Sequence, residues 1–128
     1  MNLNSILIGT EDPQRLNEYY TKLFGDPLWS DGGYTGWQIG DGSITVGHHD
    51  QVSGRNAHPG RIIWNIESSD VRGDFDRLVE RGAVVVREPY GFEGQEGLVA
   101  TLADPDDNYF QLVSPMGPDP DAEVDALT

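Results

Sequence analysis

The chain has 128 residues, no cysteine, and 8 basic against 22 acidic residues, a formal charge of −14. That balance excludes a nucleic-acid reader, which needs a basic face, and a binder of anionic membranes. The absence of thiols excludes disulfides and thiolate metal sites, and no apolar run reaches the ~18 residues that cross a bilayer.

The length suits one domain with a real core, or two small halves sharing one. The first residues lack the charged and apolar regions of a secretory leader, so the expected location is cytoplasmic. Residues 3–10 form a short apolar run with β-branched members, a strand pattern. Glu11-Asp12-Pro13 then offers an acidic cap followed by proline in the first turn. Leu16, Tyr19, Tyr20, Leu23 and Phe24 recur at helical spacing, and Gly25 supplies the left-handed stop. Three short strands are expected at 27–30, 34–39 and 43–48, separated by Gly32-Gly33 and Gly40-Asp41-Gly42. Residues 51–60 are polar, with two glycines and a proline, and read as a linker.

The order then repeats. A strand is expected at 61–67, a cap at Ser68-Ser69-Asp70, and a helix carrying Val71, Phe75, Leu78 and Val79, stopped by Gly82. A valine-rich strand at 83–87 leads into a glycine-bearing loop at 88–97 with Tyr90 and Phe92. Strands at 98–103 and 109–114 close a hairpin around Asp104-Pro105-Asp106-Asp107-Asn108, where proline presets one corner and Asp and Asn tolerate positive φ. In the last strand Tyr109, Gln111 and Val113 share one face, and Phe110, Leu112 and Ser114 the other. The segments Ile8-Gly-Thr-Glu-Asp12 and Ile66-Glu-Ser-Ser-Asp70 align nearly 60 residues apart, so the chain reads as a duplication. The expected fold is α+β: two βαβββ modules forming a curved mixed sheet with a cleft. Residues 1–117 are expected to form a single domain, with modules at 1–50 and 61–117. Residues 118–128 read as an acidic tail, rich in proline and without basic partners, and the composition predicts disorder there.

Three features resemble the vicinal oxygen chelate superfamily of glyoxalases, bleomycin-resistance proteins and extradiol dioxygenases. Asp12 ahead of Tyr19-Tyr20 and Leu23-Phe24-Gly25 resembles its first helix. Ser69-Asp70-Val71 with Leu78 and Gly82-Ala83 resembles its second. The segment Ala103-Asp-Pro-Asp-Asp-Asn-Tyr-Phe-Gln-Leu-Val-Ser-Pro115 resembles its closing hairpin, with Asp107 where glycine is usual. The resemblance implies a ligand cleft in the sheet and a homodimer. It also implies four strand positions that hold a metal in the metal-using members. These fall near Ser5, at Thr45 or Gly47, near Ile62 or Ile63, and at Gln111. Only Gln111 among them resembles a family ligand.

His48 and His49 are adjacent, so on a strand only one enters a cleft; His58 lies in the linker. Trp64 alternates with Ile62 and Ile66 and is expected under a helix. Asn65 and Glu67 are then expected on the opposite face, toward the cleft, where a desolvated Glu67 would serve as acid or base. Trp37 sits in a polar setting typical of a cleft or interface, and Tyr90 and Phe92 are large aromatics in a glycine-bearing loop. The expected ligand-binding set is Trp37, Asn65, Glu67, Tyr90, Phe92 and Gln111, with no catalytic residue assigned. The favoured function is binding of a small, partly aromatic or cationic molecule without a complete metal site or cofactor. The first alternative is a lyase, isomerase or dioxygenase using a divalent metal such as Zn, Ni, Mn or Fe, with His48, His49 and Gln111 as ligands. The second is a non-catalytic partner-binding module.

Overall fold

The structure is a computed structural model that describes residues 1–94 and 96–115; the acidic tail lies outside the described residues. The element order is β1 (Ile6–Thr10), α1 (Pro13–Phe24), β2 (Trp29–Asp31), β3 (Tyr34–Ile39) and β4 (Gly42–His48), then β5 (Trp64–Glu67), α2 (Val71–Glu80), β6 (Val84–Gly91), β7 (Leu98–Ala103) and β8 (Tyr109–Val113). The α+β class and the paired βαβββ modules are as expected. The strands form two four-stranded sheets, ordered β1-β4-β3-β2 and β5-β8-β7-β6. In each sheet the first and last strands pair in parallel and the others antiparallel.

The duplication is visible in the helix starts. The Asp12 carboxylate accepts from the Arg15 N–H at 3.2 Å, and Asp70 accepts from Gly73 N–H at 3.1 Å. Two residues before each cap a hydroxyl accepts the cap's own N–H, Thr10 for Asp12 at 3.0 Å and Ser68 for Asp70 at 3.2 Å. These bonds satisfy N–H groups that a helix start leaves without partners. α1 stops at Gly25, φ +89°, whose N–H reaches the Thr21 carbonyl at 2.9 Å.

Both helices bury their apolar stripes in a single core. Leu16, Tyr20 and Leu23 of α1 join Phe75 and Leu78 of α2, with Val46, Leu102, Phe110 and Leu112 from the sheets. Tyr20 lies at the centre, its ring centroid 5.9 Å from Trp37, 6.2 Å from Trp64 and 6.4 Å from Phe110. Trp64 stacks on Phe110 at 4.7 Å, on the core side as its alternation predicts.

Polar bonds tie the modules together at the Asp104–Asn108 turn, where Asp107 has φ +63°. The Tyr20 hydroxyl donates to Asp104 at 2.7 Å and the Tyr19 hydroxyl to the Ala103 carbonyl at 2.7 Å. Thr10 donates to Asp106 at 2.6 Å, Arg15 pairs with the same carboxylate, and the Asn56 N–H reaches the Asp106 carbonyl at 2.7 Å. The 51–60 connection is therefore fastened to this turn.

Some boundaries differ from expectation. β5 begins at Trp64 rather than at residue 61, because Arg61 is held in a turn by its N–H bond to the His58 carbonyl. β6 runs on to Gly91 through two register shifts, so Tyr90 is a strand residue and not a loop residue. Bulges allow this, since each absorbs an extra residue without ending the pairing. β2 starts at Trp29, two residues beyond the expected Pro27, consistent with proline's missing ladder donor.

Candidate functional site

Opposed residues on paired strands share a face, so the registers define rows across each sheet. On the face of the second sheet turned away from the core, one row reads Asn65, Gln111, Thr101, Arg87. The next reads Glu67, Val113, Val99, Tyr90. Phe110 and Leu112, between these positions on β8, enter the core, so alternation fixes the two faces.

The second sheet carries a groove of about 560 Å³ on that face, lined by Asn65, Gln111, Tyr90, Phe92, Val99 and Val113 among others. Its wall is the Tyr90–Phe92 pair, packed edge to face with centroids 5.3 Å apart. Its floor is apolar, Val99 and Val113 both being buried. Its polar part is the carboxamide pair, with Gln111 Nε2 donating to Thr101 Oγ1 at 3.1 Å. At the outer strand the Arg87 guanidinium lies over Tyr90, 3.5 Å from the ring centroid.

Four of the six expected residues therefore meet in one groove: Asn65, Tyr90, Phe92 and Gln111. Glu67 is on the same face but lines a neighbouring hollow with Asp41, Ser43 and Trp64. Trp37 is a correction. It is 2 % exposed, part of the core, and its indole N–H donates to the Gly25 carbonyl at 3.1 Å. The polar residues beside it in sequence occupy the other face of β3, so its setting reflected alternation and not a cleft. Arg87 and Thr101 were not singled out in the sequence. Arg87 was signalled only as the first charge after a valine run, followed by Glu88, and Thr101 only by its place opposite Gln111.

The equivalent face of the first sheet has a different character. Its rows read Leu7, Thr45, Gly36, Trp29 and Gly9, Gly47, Tyr34, Asp31. A Cβ at Gly36 would collide with the Trp29 indole, and one at Gly47 with the Tyr34 ring. The glycines thus let the rings lie down on the sheet. Leu7, Trp29 and Tyr34 remain 56 %, 44 % and 43 % exposed.

The histidines do not join Gln111. His48 follows Ile44 and Val46 on the helix side of β4 and lines a wider hollow of about 750 Å³ against α1, with Gln14, Asn17 and Thr35. His49 crosses over Gly9 on the opposite face, where its Nδ1 accepts the Gln51 N–H at 3.2 Å. In register with one another, outward positions on the four parallel-paired strands include Leu7 with Thr45 and Asn65 with Gln111. These four offer neutral amides, a hydroxyl and an alkyl chain, without the imidazole or carboxylate that transition metals favour; Glu67 and His49 lie on the same outward faces, beside other positions. Among the described residues no group of three or more His, Asp or Glu side chains converges. The position expected near Ile62 or Ile63 lies before β5 begins; Asn65 is the residue in register with Gln111.

Paired βαβββ modules with a ligand-sized groove on one sheet define a glyoxalase-like protein. The chain belongs to the glyoxalase-like domain family, whose model matches residues 5–113. Several solved structures share the fold. A glyoxalase/bleomycin resistance protein from Catenulispora acidiphila superposes with a TM-score of 0.71 at 15% identity, over 90% of this chain and 100% of that one. A glyoxalase-related enzyme from Fulvimarina pelagi gives 0.68 at 20% identity, over 93% and 94%. A genomically encoded fosfomycin resistance protein from Listeria monocytogenes gives 0.67 at 18% identity, over 91% and 94%. No curated protein matches the sequence. No helix among the described residues is long and apolar enough to cross a membrane.

Proposed function

We propose that this protein binds a small, partly aromatic or cationic molecule in the groove of its second sheet, without a metal. One observation carries the reading. An aromatic wall, Tyr90 and Phe92, faces a carboxamide pair, Asn65 and Gln111, in a single groove. Such a site offers stacking surface and hydrogen-bond direction, the two things a neutral recognition site needs. Among the described residues it offers no nucleophile beside a base and no converging acid pair, and binding accounts for what is present. A second copy of the chain is the proposed cover for the first sheet, whose exposed Leu7, Trp29 and Tyr34 form an apolar face. The bound protein is then a homodimer in the cytoplasm, and residues 1–117 act as one unit.

The test is calorimetric titration with planar aromatic amides and planar aromatic cations, on the wild type and on F92A and Q111A. Binding is expected, weakened about tenfold by F92A, the scale of one lost aromatic contact. Ligand binding that neither substitution changes refutes the groove. Metal content is measured after incubation with nickel, zinc, manganese and iron and desalting. Retention near one ion per chain, lost in Q111A, refutes the metal-free reading. Light scattering during size-exclusion chromatography tests the dimer.

A further inference from the structure

Arg87 is the last member of the polar row that begins at Asn65 and runs through Gln111 and Thr101. It therefore stands on the groove face of the second sheet, beside the aromatic wall. Its guanidinium lies over Tyr90, with Cζ 3.5 Å from the ring centroid, and a guanidinium carries five N–H donors in a planar fork. Arg15, Arg55 and Arg77 each pair with a carboxylate, and Arg81 donates to the Leu23 carbonyl. Arg87, like Lys22, Arg61 and Arg72, has no carboxylate within ion-pair reach among the described residues, and of these four it is the one in a row with Gln111; the chain's formal charge is −14. One face of the Tyr90 ring is already covered by this guanidinium.

We propose that the groove selects a small aromatic carboxylic acid, and that Arg87 determines this specificity. This rests on the groove reading above and narrows its ligand class. The ring of the ligand lies against Phe92 and the valine floor. Its carboxylate meets the Arg87 fork, which matches two carboxylate oxygens side by side. The Gln111 and Asn65 carboxamides hydrogen-bond the body of the ligand between them. A carboxylate supplied by the ligand completes the one guanidinium that the groove face presents.

The test compares two probes of one shape, 1-naphthoate and its neutral analogue 1-naphthamide, on the full-length chain. Affinity is read by calorimetry, and location by the side-chain amide signals of Asn65 and Gln111 in proton–nitrogen spectra. The acid is expected to bind about tenfold tighter than the amide at low salt, the scale of one charge-assisted bidentate pair at an exposed site. R87Q is expected to abolish that preference by weakening the acid alone. Salt near 1 M is expected to reduce it in the wild type. Equal affinity for the two probes, or a preference that survives R87Q, overturns the role of Arg87 while amide binding keeps the groove reading intact. If neither probe shifts the Asn65 and Gln111 signals, the groove reading falls, and this proposal with it.

Discussion

Removing the Asp104 carboxylate is expected to cost a large part of the protein's stability. Asp104 is 1 % exposed. Its two oxygens accept from the Tyr20 hydroxyl at 2.7 Å and from Asn108 Nδ2, Asp106 N–H and Asn108 N–H at 2.9 Å each. In D104A these donors lose their acceptor, and Tyr20 is itself fully buried. A buried donor left unsatisfied costs about 1–3 kcal/mol, and relaxation with entry of water recovers part of the sum. The expected loss is roughly 3–5 kcal/mol, against a total stability of about 5–15 kcal/mol for a domain of ordinary size. With a urea slope near 2 kcal/mol/M, the midpoint falls by about 2 M. D104N keeps one oxygen acceptor and is expected to lose about half as much. Equilibrium urea unfolding followed by far-ultraviolet circular dichroism measures both variants. A D104A midpoint within about 0.5 M of the wild type, at equal slope, would refute the account of the turn as the fastening between modules.

The same carboxylate fixes a sign with pH. Burial raises the pKa of Asp104, and the bonds from Asn108 and Tyr20 pull it back only in part. A raised acid disfavours the folded state once it is ionised. The stability of the wild type relative to D104N is therefore expected to grow as pH falls through the folded pKa, and to level off below the ordinary carboxylate value of about 3.9. A gap that shrinks over that window contradicts the assignment.

Two further outcomes follow from burial. Desolvation raises the Tyr19 phenol to about 12 and pushes Tyr20 well above the usual value. Stability tied to these phenols is complete below pH ~10 and lost as pH climbs toward the folded value, because the unfolded chain releases those protons first. Absorbance at 295 nm is expected to show two of the five tyrosines ionising together with loss of circular dichroism; ionisation of all five before unfolding contradicts this. W37F removes the indole bond to Gly25 and part of a buried ring, at a cost of about 1–3 kcal/mol. It is expected to leave the affinity for naphthoate or naphthamide unchanged, and a folded W37F with lost affinity would return Trp37 to the site.

The sequence carried the fold well because each signal was local. An Asp cap, a 3.6-residue stripe and a terminal glycine delimit both helices, and the Asp104–Asn108 turn sets which face Gln111 takes. The site was harder to read because it depends on register. Asn65 and Gln111 are far apart in sequence, and only the parallel β5·β8 pairing brings them abreast. Arg87 meets Thr101 only through the bulges of β6. Trp37 failed as a site residue because sequence neighbours on a strand lie on opposite faces, so its polar flanks described the wrong side.

The duplication bears on which sheet suits a ligand and which suits a partner. Leu7 and Asn65 occupy equivalent places, each three positions before a hydroxyl residue, Thr10 or Ser68, and five before a helix cap, Asp12 or Asp70. From them the two outward rows run through the same strand order: Leu7, Thr45, Gly36, Trp29 in one module and Asn65, Gln111, Thr101, Arg87 in the other. One copy of the row is alkyl, small and aromatic, which suits cover by another apolar face. The other copy has three hydrogen-bonding groups and a guanidinium, which are costly to bury without partners. Packing two such rows together would bury a guanidinium from each with no carboxylate in either row to pair it, whereas a small molecule with an acid group supplies one. The divergence of the two rows therefore favours assembly on the first sheet and recognition on the second.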